Sequence, residues 1–147
     1  MLSYRHAFHA GNHADILKHL CLVGVLESMT KKDKNFTAID AHAGAGIYFL
    51  DDERAIKTGE NQVGILSLYQ KFIANKENSE IPNLVKNYLH FVEPYLKNNQ
   101  YPGSPEIIRK FLRTGDKEFL FELHNTEIEI LKSNIKDSRV TILHQNS

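Results

Sequence analysis

The chain has 147 residues, with 18 basic and 18 acidic side chains and therefore no formal net charge. This length suffices for one domain with a hydrophobic core and is too short for two ordinary ones. The balanced charge gives no indication of a polybasic face, so contact with nucleic acid would depend on local clusters such as Lys31, Lys32 and Lys34. The single cysteine, Cys21, excludes a disulfide scaffold and a cysteine metal cage, and its apolar neighbours predict a buried position.

No stretch of the sequence has the character of a membrane span or a secretion signal. The longest apolar run, Leu20 to Leu26, is far shorter than a bilayer requires. The N-terminus carries charge and histidine instead of an apolar core. These features predict a soluble, cytoplasmic protein without a membrane partner.

The first eleven residues have neither a helical nor a strand period, and four of the eight histidines lie within the first nineteen residues. Because there is no cysteine partner and Asp15 is the one nearby acid, hydrogen bonding in a folded-back segment is favoured over zinc binding. A helix is expected after Asn12 as the N-cap residue, running to about Ser28 or Met29. Its predicted apolar face comprises Ile16, Leu17, Leu20, Cys21 and Val25.

Residues 36–46 combine a short apolar strand, an acid at the strand's end and a turn of small residues. Phe36, Ala38 and Ile39 predict a buried parallel strand, and Gly44 and Gly46 permit a tight turn at its carboxyl edge. Ligands of open α/β sheets bind at that edge, where glycine lets the backbone approach a cofactor closely. The three-glycine dinucleotide fingerprint is missing, so an ordinary strand ending in a glycine turn is the alternative.

Residues 51–100 carry mainly helical signals and predict an inserted helical subdomain. Apolar residues recur at helical spacing in two runs: Val63, Leu66, Tyr69 and Ile73, and then Leu84, Val85, Tyr88, Leu89 and Val92 after Pro82. The turn Tyr101-Pro-Gly-Ser-Pro105 closes the insertion, with Ser104 as the expected cap of the next helix. The predicted organisation is therefore residues 1–50 with the first helix, strand and glycine loop, the insertion 51–100, and residues 101–147, which resume the α/β domain.

A second strand is predicted from Glu118 to Leu123, with Glu122 near its carboxyl end. Rossmann-type sites place an acid there, about 20 residues beyond the glycines, where it accepts hydrogen bonds from ribose hydroxyls. Gly46 and Glu122 are 76 positions apart, and 26 once the 50-residue insertion is left out. The spacing therefore fits a nucleoside-binding acid.

The remaining residues predict one more helix and one more strand. Thr126 and Glu129 form a capping box for a helix that turns Ile128, Leu131 and Ile135 inward. Residues 139–143 predict a third strand. Three parallel strands without further neighbours would leave an apolar edge exposed.

Read together, five stretches resemble one enzyme family: Tyr4-Arg-His, Phe8-His-Ala-Gly-Asn-His-Ala-Asp15, Lys18-His19, Asp40-Ala-His-Ala-Gly-Ala-Gly46 and Tyr101-Pro-Gly-Ser-Pro105. The sequence is similar to the S-adenosylmethionine-dependent 23S ribosomal RNA adenine-N6 methyltransferases of the RlmJ type. The resemblance implies a class I, Rossmann-like methyltransferase fold with a helical subdomain inserted after the first strand and its loop. It implies S-adenosyl-L-methionine as the cofactor without a metal, 23S ribosomal RNA as the partner, and a monomer at full length.

The resemblance also assigns roles by position. Its cofactor contacts fall on His19, His42, Ser104 and Glu122, and the glycine loop adds backbone contacts at Gly44 and Gly46. An Asp-Gly pair of the family corresponds to Asn146-Ser147, and Asn146 can still present hydrogen-bonding atoms to the adenine of the cofactor. For the RNA substrate, Tyr4 corresponds to a residue near the target base, and Lys18 is close to the same pocket by sequence.

The family's catalytic Asp-Pro-Pro-Tyr motif has no counterpart in these residues, since no two of the four prolines are adjacent. In that motif an acid or amide and a neighbouring carbonyl accept hydrogen bonds from the adenine amino group and align it with the sulfonium methyl. We therefore expect the chain to be the N-terminal, cofactor-binding half of a longer enzyme, with the catalytic residues downstream. This half alone should not methylate RNA.

Two other function classes would use the same features. A Rossmann-type oxidoreductase would share the strand, the glycine loop and the acid, and would bind NADH more tightly than S-adenosylmethionine. The missing third glycine and the aromatic, histidine-rich N-terminus argue against it. A non-catalytic RNA-binding or interaction module is the other alternative, favoured if the gene ends at Ser147.

Overall fold

The computed structural model describes residues 5–75 and 80–145. The predictions made for Tyr4 and Asn146 lie outside these residues. In chain order the α-helices and strands are α1 (His13–Thr30), β1 (Thr37–Asp40), β2 (Ile47–Phe49), α2 (Glu53–Thr58), α3 (Ser67–Ala74), α4 (Asn83–Leu96), β3 (Gln100–Pro102), α5 (Ser104–Phe111), β4 (Lys117–Phe121), α6 (Asn125–Asn134) and β5 (Val140–Leu143). A short 3-10 helix, His6–Phe8, and a π-helix, Gln62–Leu66, complete the helices of the described residues. The described residues form two compact units, 5, 25–47 and 102–145 in the first and 6–24 and 48–101 in the second.

The first unit is built on a parallel sheet with the strand order β1-β4-β5. Asp40 lies opposite Leu120, and Leu120 lies opposite Ile142. Parallel strands need long crossover connections, and α6 lies in the one between β4 and β5. The prediction of a mixed α/β fold with parallel strands is confirmed at this level.

The core of this unit lies beside the middle strand. Leu120, Leu131 and Ile135 are buried together with Ala43, and Val140 and Ile142 pack against them. Two of the three residues that the sequence turned inward on α6 therefore belong to this cluster, and the third, Ile128, is buried as well. The loop after β1 contributes Ala43 to the same core, which fixes where that loop begins.

The expectation that β1 is fully buried is wrong. Phe36 is buried, but the Ile39 side chain is 69% exposed, because it shares with Thr37 the uncovered face of β1. Strand β1 also lies at an edge of the sheet and pairs with β4 alone among the described strands. This outcome agrees with the apolar edge expected from three strands.

Helix α1 begins after Asn12 as predicted, with the Asn12 side chain accepting the Asp15 N–H at 2.9 Å. Its buried face differs from the prediction and consists of Asp15, Ile16, His19, Val23 and Leu26. Leu17, Cys21 and Val25 are exposed instead. The sequence pattern failed because two polar side chains, Asp15 and His19, are buried through hydrogen bonds and displace the expected apolar face.

The second unit contains the first half of α1, the α-helices α2, α3 and α4, and the paired strands β2 and β3. Buried side chains of α4 are Tyr88, Leu89, Val92 and Leu96, as its period predicts. The preceding helical run has a different phase, since Ile65 and Phe72 are buried while Val63 and Ile73 are exposed.

A kink at Gly64 causes this difference in phase. Gly64 has non-helical backbone angles, and a Cβ there would lie 2.2 Å from the carbonyl oxygen of Gly11. The next residue, Ile65, donates its N–H to that carbonyl at 2.9 Å. Glycine is therefore required where the two backbones meet.

Several local predictions need correction. Residues 47–59 contain β2 and α2, two elements that were not assigned from the sequence. The cap of α5 is Gly103, because the Ser104 hydroxyl donates to Asp40 instead. The cap of α6 is His124, whose Nδ1 accepts the Thr126 N–H, so the expected capping box does not form. None of the helices within the described ranges is long and apolar enough to cross a membrane.

Candidate functional site

The loop that follows β1 is tied to the end of β4 by two hydrogen bonds. The Ala43 N–H donates to the Phe121 carbonyl at 3.0 Å, which continues the strand pairing into the loop. The Gly44 N–H then donates to Glu122 Oε2 at 2.8 Å. Gly44 has φ = 60°, a left-handed conformation that glycine adopts without steric cost. The glycine loop and the acid, distant in sequence, therefore meet at the carboxyl edge of the sheet.

Two backbone N–H groups fix the carboxyl group of Glu122 at this edge. Its Oε1 accepts the His124 N–H at 2.7 Å, and its Oε2 accepts the Gly44 N–H. An ionised carboxylate offers about four lone-pair sites, so two hydrogen bonds leave acceptor capacity for a ligand hydroxyl. The carboxylate is half-buried, which strengthens its hydrogen bonds relative to those in water.

Asp40, the last residue of β1, fixes two further predicted residues. Its Oδ2 accepts the Ser104 hydroxyl at 2.6 Å, and its Oδ1 accepts the His42 N–H at 3.0 Å. Ser104 begins α5, so this contact joins the start of that helix to the end of β1. The His42 residue is exposed, so its ring can reach a ligand in solvent.

Gly46 closes the loop against α6. It has φ = 74°, and a Cβ there would lie 2.9 Å from Leu131 Cδ1. Its carbonyl accepts the Gly103 N–H at 2.8 Å. The Asn134 side chain donates to the carbonyl of Ala45 at 2.8 Å. These contacts give Gly46 a packing role in the loop.

A second acid, Glu118, lies in β4 with no exposed surface, and neither of its carboxylate oxygens has a hydrogen-bond partner in the part of the chain described. Burial raises the pKa of Glu118 to about 9, the negative charge of Asp40 adds to the shift, and Arg109 opposes it. Glu118 is therefore protonated and neutral at pH 7.

His19 and Lys18 belong to the second unit. His19 is buried, and its Nδ1 lies 2.9 Å from the Tyr101 hydroxyl. Burial lowers the pKa of His19 to about 4, although the charge of Asp15 opposes the shift. Lys18 Nζ lies 3.1 Å from Asp15 Oδ1 on the same helix.

Asp15 organises the N-terminal segment of this unit. Its Oδ2 accepts from His6 Nε2 at 2.8 Å and from the Gly11 N–H at 3.0 Å. Burial by itself would raise the pKa of Asp15, but the hydrogen bond and charge of His6 lower it overall. His9 Nδ1 lies 2.9 Å from Glu60 Oε1, so each of these two histidines is hydrogen-bonded to a carboxylate. Within residues 5–75 and 80–145, no group of three or more His, Cys, Asp or Glu is placed to hold a metal ion.

Sequence reasoning missed two residues that shape the loop and sheet. Asn134 lies 89 positions from its partner Ala45, and no sequence pattern links the two. Glu118 had a usable signal, because residues two apart on a strand share a face and Leu120 is fully buried. The same alternation would have predicted a buried acid.

A parallel sheet with a glycine loop and an acid at its carboxyl edge defines a mixed α/β protein with a candidate ligand site at the strand ends. Residues 33–147 match the family described as "Ribosomal RNA large subunit methyltransferase D, RlmJ". The chain belongs to this family, and the resemblance stated from its motifs is confirmed.

Relatives and a solved structure agree with this assignment. Two proteins named "Ribosomal RNA large subunit methyltransferase J" are similar to the chain. The one from Escherichia coli is 43% identical over 97% of this chain, and the one from Haemophilus influenzae is 37% identical over 99%. The crystal structure of protein LPL1258 from Legionella pneumophila matches 94% of the chain with a TM-score of 0.75 and 32% identity. The chain spans about half the length of each of these proteins, 50%, 51% and 49% respectively.

Proposed function

We propose that this chain is the cofactor-binding half of an enzyme that transfers a methyl group from S-adenosylmethionine to the N6 amino group of an adenine in 23S ribosomal RNA. Its fold would be the first part of a class I, Rossmann-like methyltransferase domain, interrupted by helices. The observation that carries the proposal is the 2.8 Å hydrogen bond between the Gly44 N–H and Glu122. Two relatives named as large-subunit ribosomal RNA methyltransferases support the proposed reaction.

The residues at the edge of the sheet fit a nucleoside cofactor. Ribose hydroxyls need an acceptor, and Glu122 keeps lone pairs after its two backbone bonds. Gly44 has no side chain to obstruct a ligand beside that acid, and it holds its left-handed conformation without strain. When bound, S-adenosylmethionine supplies the electrophilic sulfonium methyl group.

Each predicted site residue has a proposed role. Glu122 accepts the ribose hydroxyls, Gly44 and Gly46 shape the loop, and Ser104 and His42 are fixed by Asp40 beside it. His19 is proposed as a further cofactor contact, and Asn146 as one to the adenine. Tyr4 and Lys18 are proposed to contact the RNA. Methylation would require the remaining length that the relatives have.

Calorimetric titration of the 147-residue chain with S-adenosylmethionine tests the proposal. Glu122→Ala removes the ribose acceptor and should weaken binding by about 10- to 100-fold, as expected for a hydrogen bond to a charged group. Glu129→Ala is the control, because Glu129 is an exposed acid in the next helix and its variant should bind as the unmodified chain does. Equal affinity of the two variants would refute the role of Glu122.

The same titration separates the other function classes. An oxidoreductase would bind NADH more tightly than S-adenosylmethionine, and an RNA-binding module would bind a 23S fragment but neither cofactor. We expect S-adenosylmethionine to bind and the chain alone to transfer no labelled methyl group to 23S RNA. Transfer by this chain would show that it contains the catalytic groups.

A further inference from the structure

A chain of three buried polar side chains connects α4 to α1 within the second unit. The Tyr88 hydroxyl lies 2.8 Å from the Tyr101 hydroxyl, which lies 2.9 Å from His19 Nδ1. Tyr88 and Tyr101 have no exposed surface, and His19 is 6% exposed. The His19 and Tyr101 rings are also stacked, with centroids 5.4 Å apart and planes 24° apart. These contacts fix the orientation of the imidazole ring.

The number of protons on the three side chains determines which atom donates in each of the two hydrogen bonds. Each tyrosine hydroxyl has one proton to donate, and no described residue other than its neighbour in this chain accepts from it. If His19 Nδ1 carried a proton and donated it to Tyr101, one of the two hydroxyl protons would be left buried without an acceptor. If Tyr88 donates to Tyr101 and Tyr101 donates to Nδ1, both buried hydroxyl protons have acceptors. The proton on Nε2 is then left for solvent or a ligand, since Nε2 is not among the fully buried described atoms that lack a partner. Buried donors are almost always satisfied, so the second arrangement is favoured.

We propose that Tyr101 is a positioning residue that holds His19 as the neutral tautomer with its proton on Nε2, and that Tyr88 supports it by occupying the acceptor site of the Tyr101 hydroxyl. No partner is assigned to Nε2 within residues 5–75 and 80–145. The Nε2–H is therefore a donor for an oxygen atom of the cofactor. This inference rests on the proposed function for the identity of the ligand, but not for the tautomer.

The electrostatic surroundings keep this ring uncharged. Burial lowers the pKa of His19 to about 4, and the charges of His6 and Lys18 add to the shift. The negative charge of Asp15 opposes the shift. With its pKa lowered to about 4, we expect His19 to stay neutral between pH 5.5 and 8, so its role as a donor should not depend on pH in that range.

Long-range proton–nitrogen NMR spectra of the ¹⁵N-histidine-labelled chain test the tautomer directly. We expect the His19 Nδ1 resonance at the shift of an unprotonated acceptor and Nε2 at that of a protonated nitrogen, both unchanged from pH 5.5 to 8. The signals are assigned by their loss in His19→Gln. A protonated Nδ1, or a charged ring at pH 6, would overturn the inference whether or not the chain binds S-adenosylmethionine.

Two matched substitutions test the positioning role. Tyr101→Phe removes the donor to Nδ1, and it should abolish the single tautomer and weaken S-adenosylmethionine binding about five- to tenfold. Tyr88→Phe removes a hydroxyl from an equally buried ring but leaves Tyr101 able to donate, so the tautomer should persist and affinity should change less than twofold. Equal effects of the two variants, or an unchanged tautomer in Tyr101→Phe, would refute the assignment. If the unmodified chain binds S-adenosylmethionine with a protonated Nδ1, the inference fails and the proposed function stands.

Discussion

Glu118 shows how a single side chain can set the pH dependence of stability. The folded chain holds its carboxyl group buried and protonated, with a pKa of about 9, whereas the unfolded chain releases that proton near the ordinary value of 4.5. The contribution of this group to stability is therefore complete below pH 4.5 and is lost progressively as the pH rises to about 9.

Glu118→Gln should remove this loss, because the amide has nearly the same shape and cannot ionise. We expect the variant to match the unmodified chain at pH 5 and to exceed its free energy of unfolding by on the order of 4 kcal/mol at pH 8. Urea denaturation at both pH values measures the difference. Glu129→Gln, at an exposed position, is the control and should show no such divergence. If the free energies of unfolding of the unmodified chain and of Glu118→Gln changed equally with pH, the buried, protonated state of Glu118 would be contradicted.

Among single residues, the sequence predicted Glu122, which contacts the glycine loop, but not the buried Glu118. Glu122 was found because nucleoside-binding sites have a characteristic spacing from glycine to acid, and the spacing survived removal of the insertion. The partners of His19 were not found, since Tyr101 is 82 positions away and no periodic pattern connects the two. Hydrogen bonds between distant residues leave no local signal.

Among the larger elements, the loop between β1 and β2 depends on backbone geometry and packing at one position. Gly46→Ala would place a methyl group 2.9 Å from Leu131 Cδ1 in a backbone conformation with φ = 74°. Gly59, which ends α2 with φ = 64°, offers a matched control, because a methyl group added there would meet no atom within 4 Å.

We expect Gly59→Ala to cost about 1 kcal/mol, the usual penalty for a left-handed residue with a side chain, and Gly46→Ala about 2–4 kcal/mol, because overpacking adds to that penalty. Thermal or urea unfolding of both variants measures the difference. Equal losses of unfolding free energy in the two variants would show that Leu131 and its neighbours can move away from the added methyl group at no energetic cost.

The sequence predicted which segments form helices and strands better than it predicted which of their faces are buried. Helix α4 and strands β4 and β5 have strong, uninterrupted periods, and the structure has them where the sequence predicts them. The run from Val63 to Ile73 was assigned the wrong buried face. The kink at Gly64 changes which of its residues face the core, and helix propensities do not predict such a kink. Short strands such as β2 and β3, three residues each, are too brief to show a period.

For the whole molecule, we expect the open edge of β1 to favour self-association of the 147-residue chain. Ile39 is 69% exposed on a strand with one described neighbour, and exposed apolar edge strands favour pairing between chains. Ile39→Lys should reduce concentration-dependent association, measured by sedimentation velocity or light scattering. Val63→Lys is the control, because Val63 is 65% exposed but lies outside any strand. A chain that stays monomeric at all concentrations would contradict this expectation.

The order of strands also has a consequence for synthesis. Thr37 of β1 pairs with Lys117 of β4, so 80 further residues must be translated before β1 meets its neighbour. At roughly 5–20 residues per second, the nascent strand waits about 4–16 s on the ribosome with both of its edges open. During that interval we expect the emerging segment to need protection from wrong partners, such as binding by a chaperone.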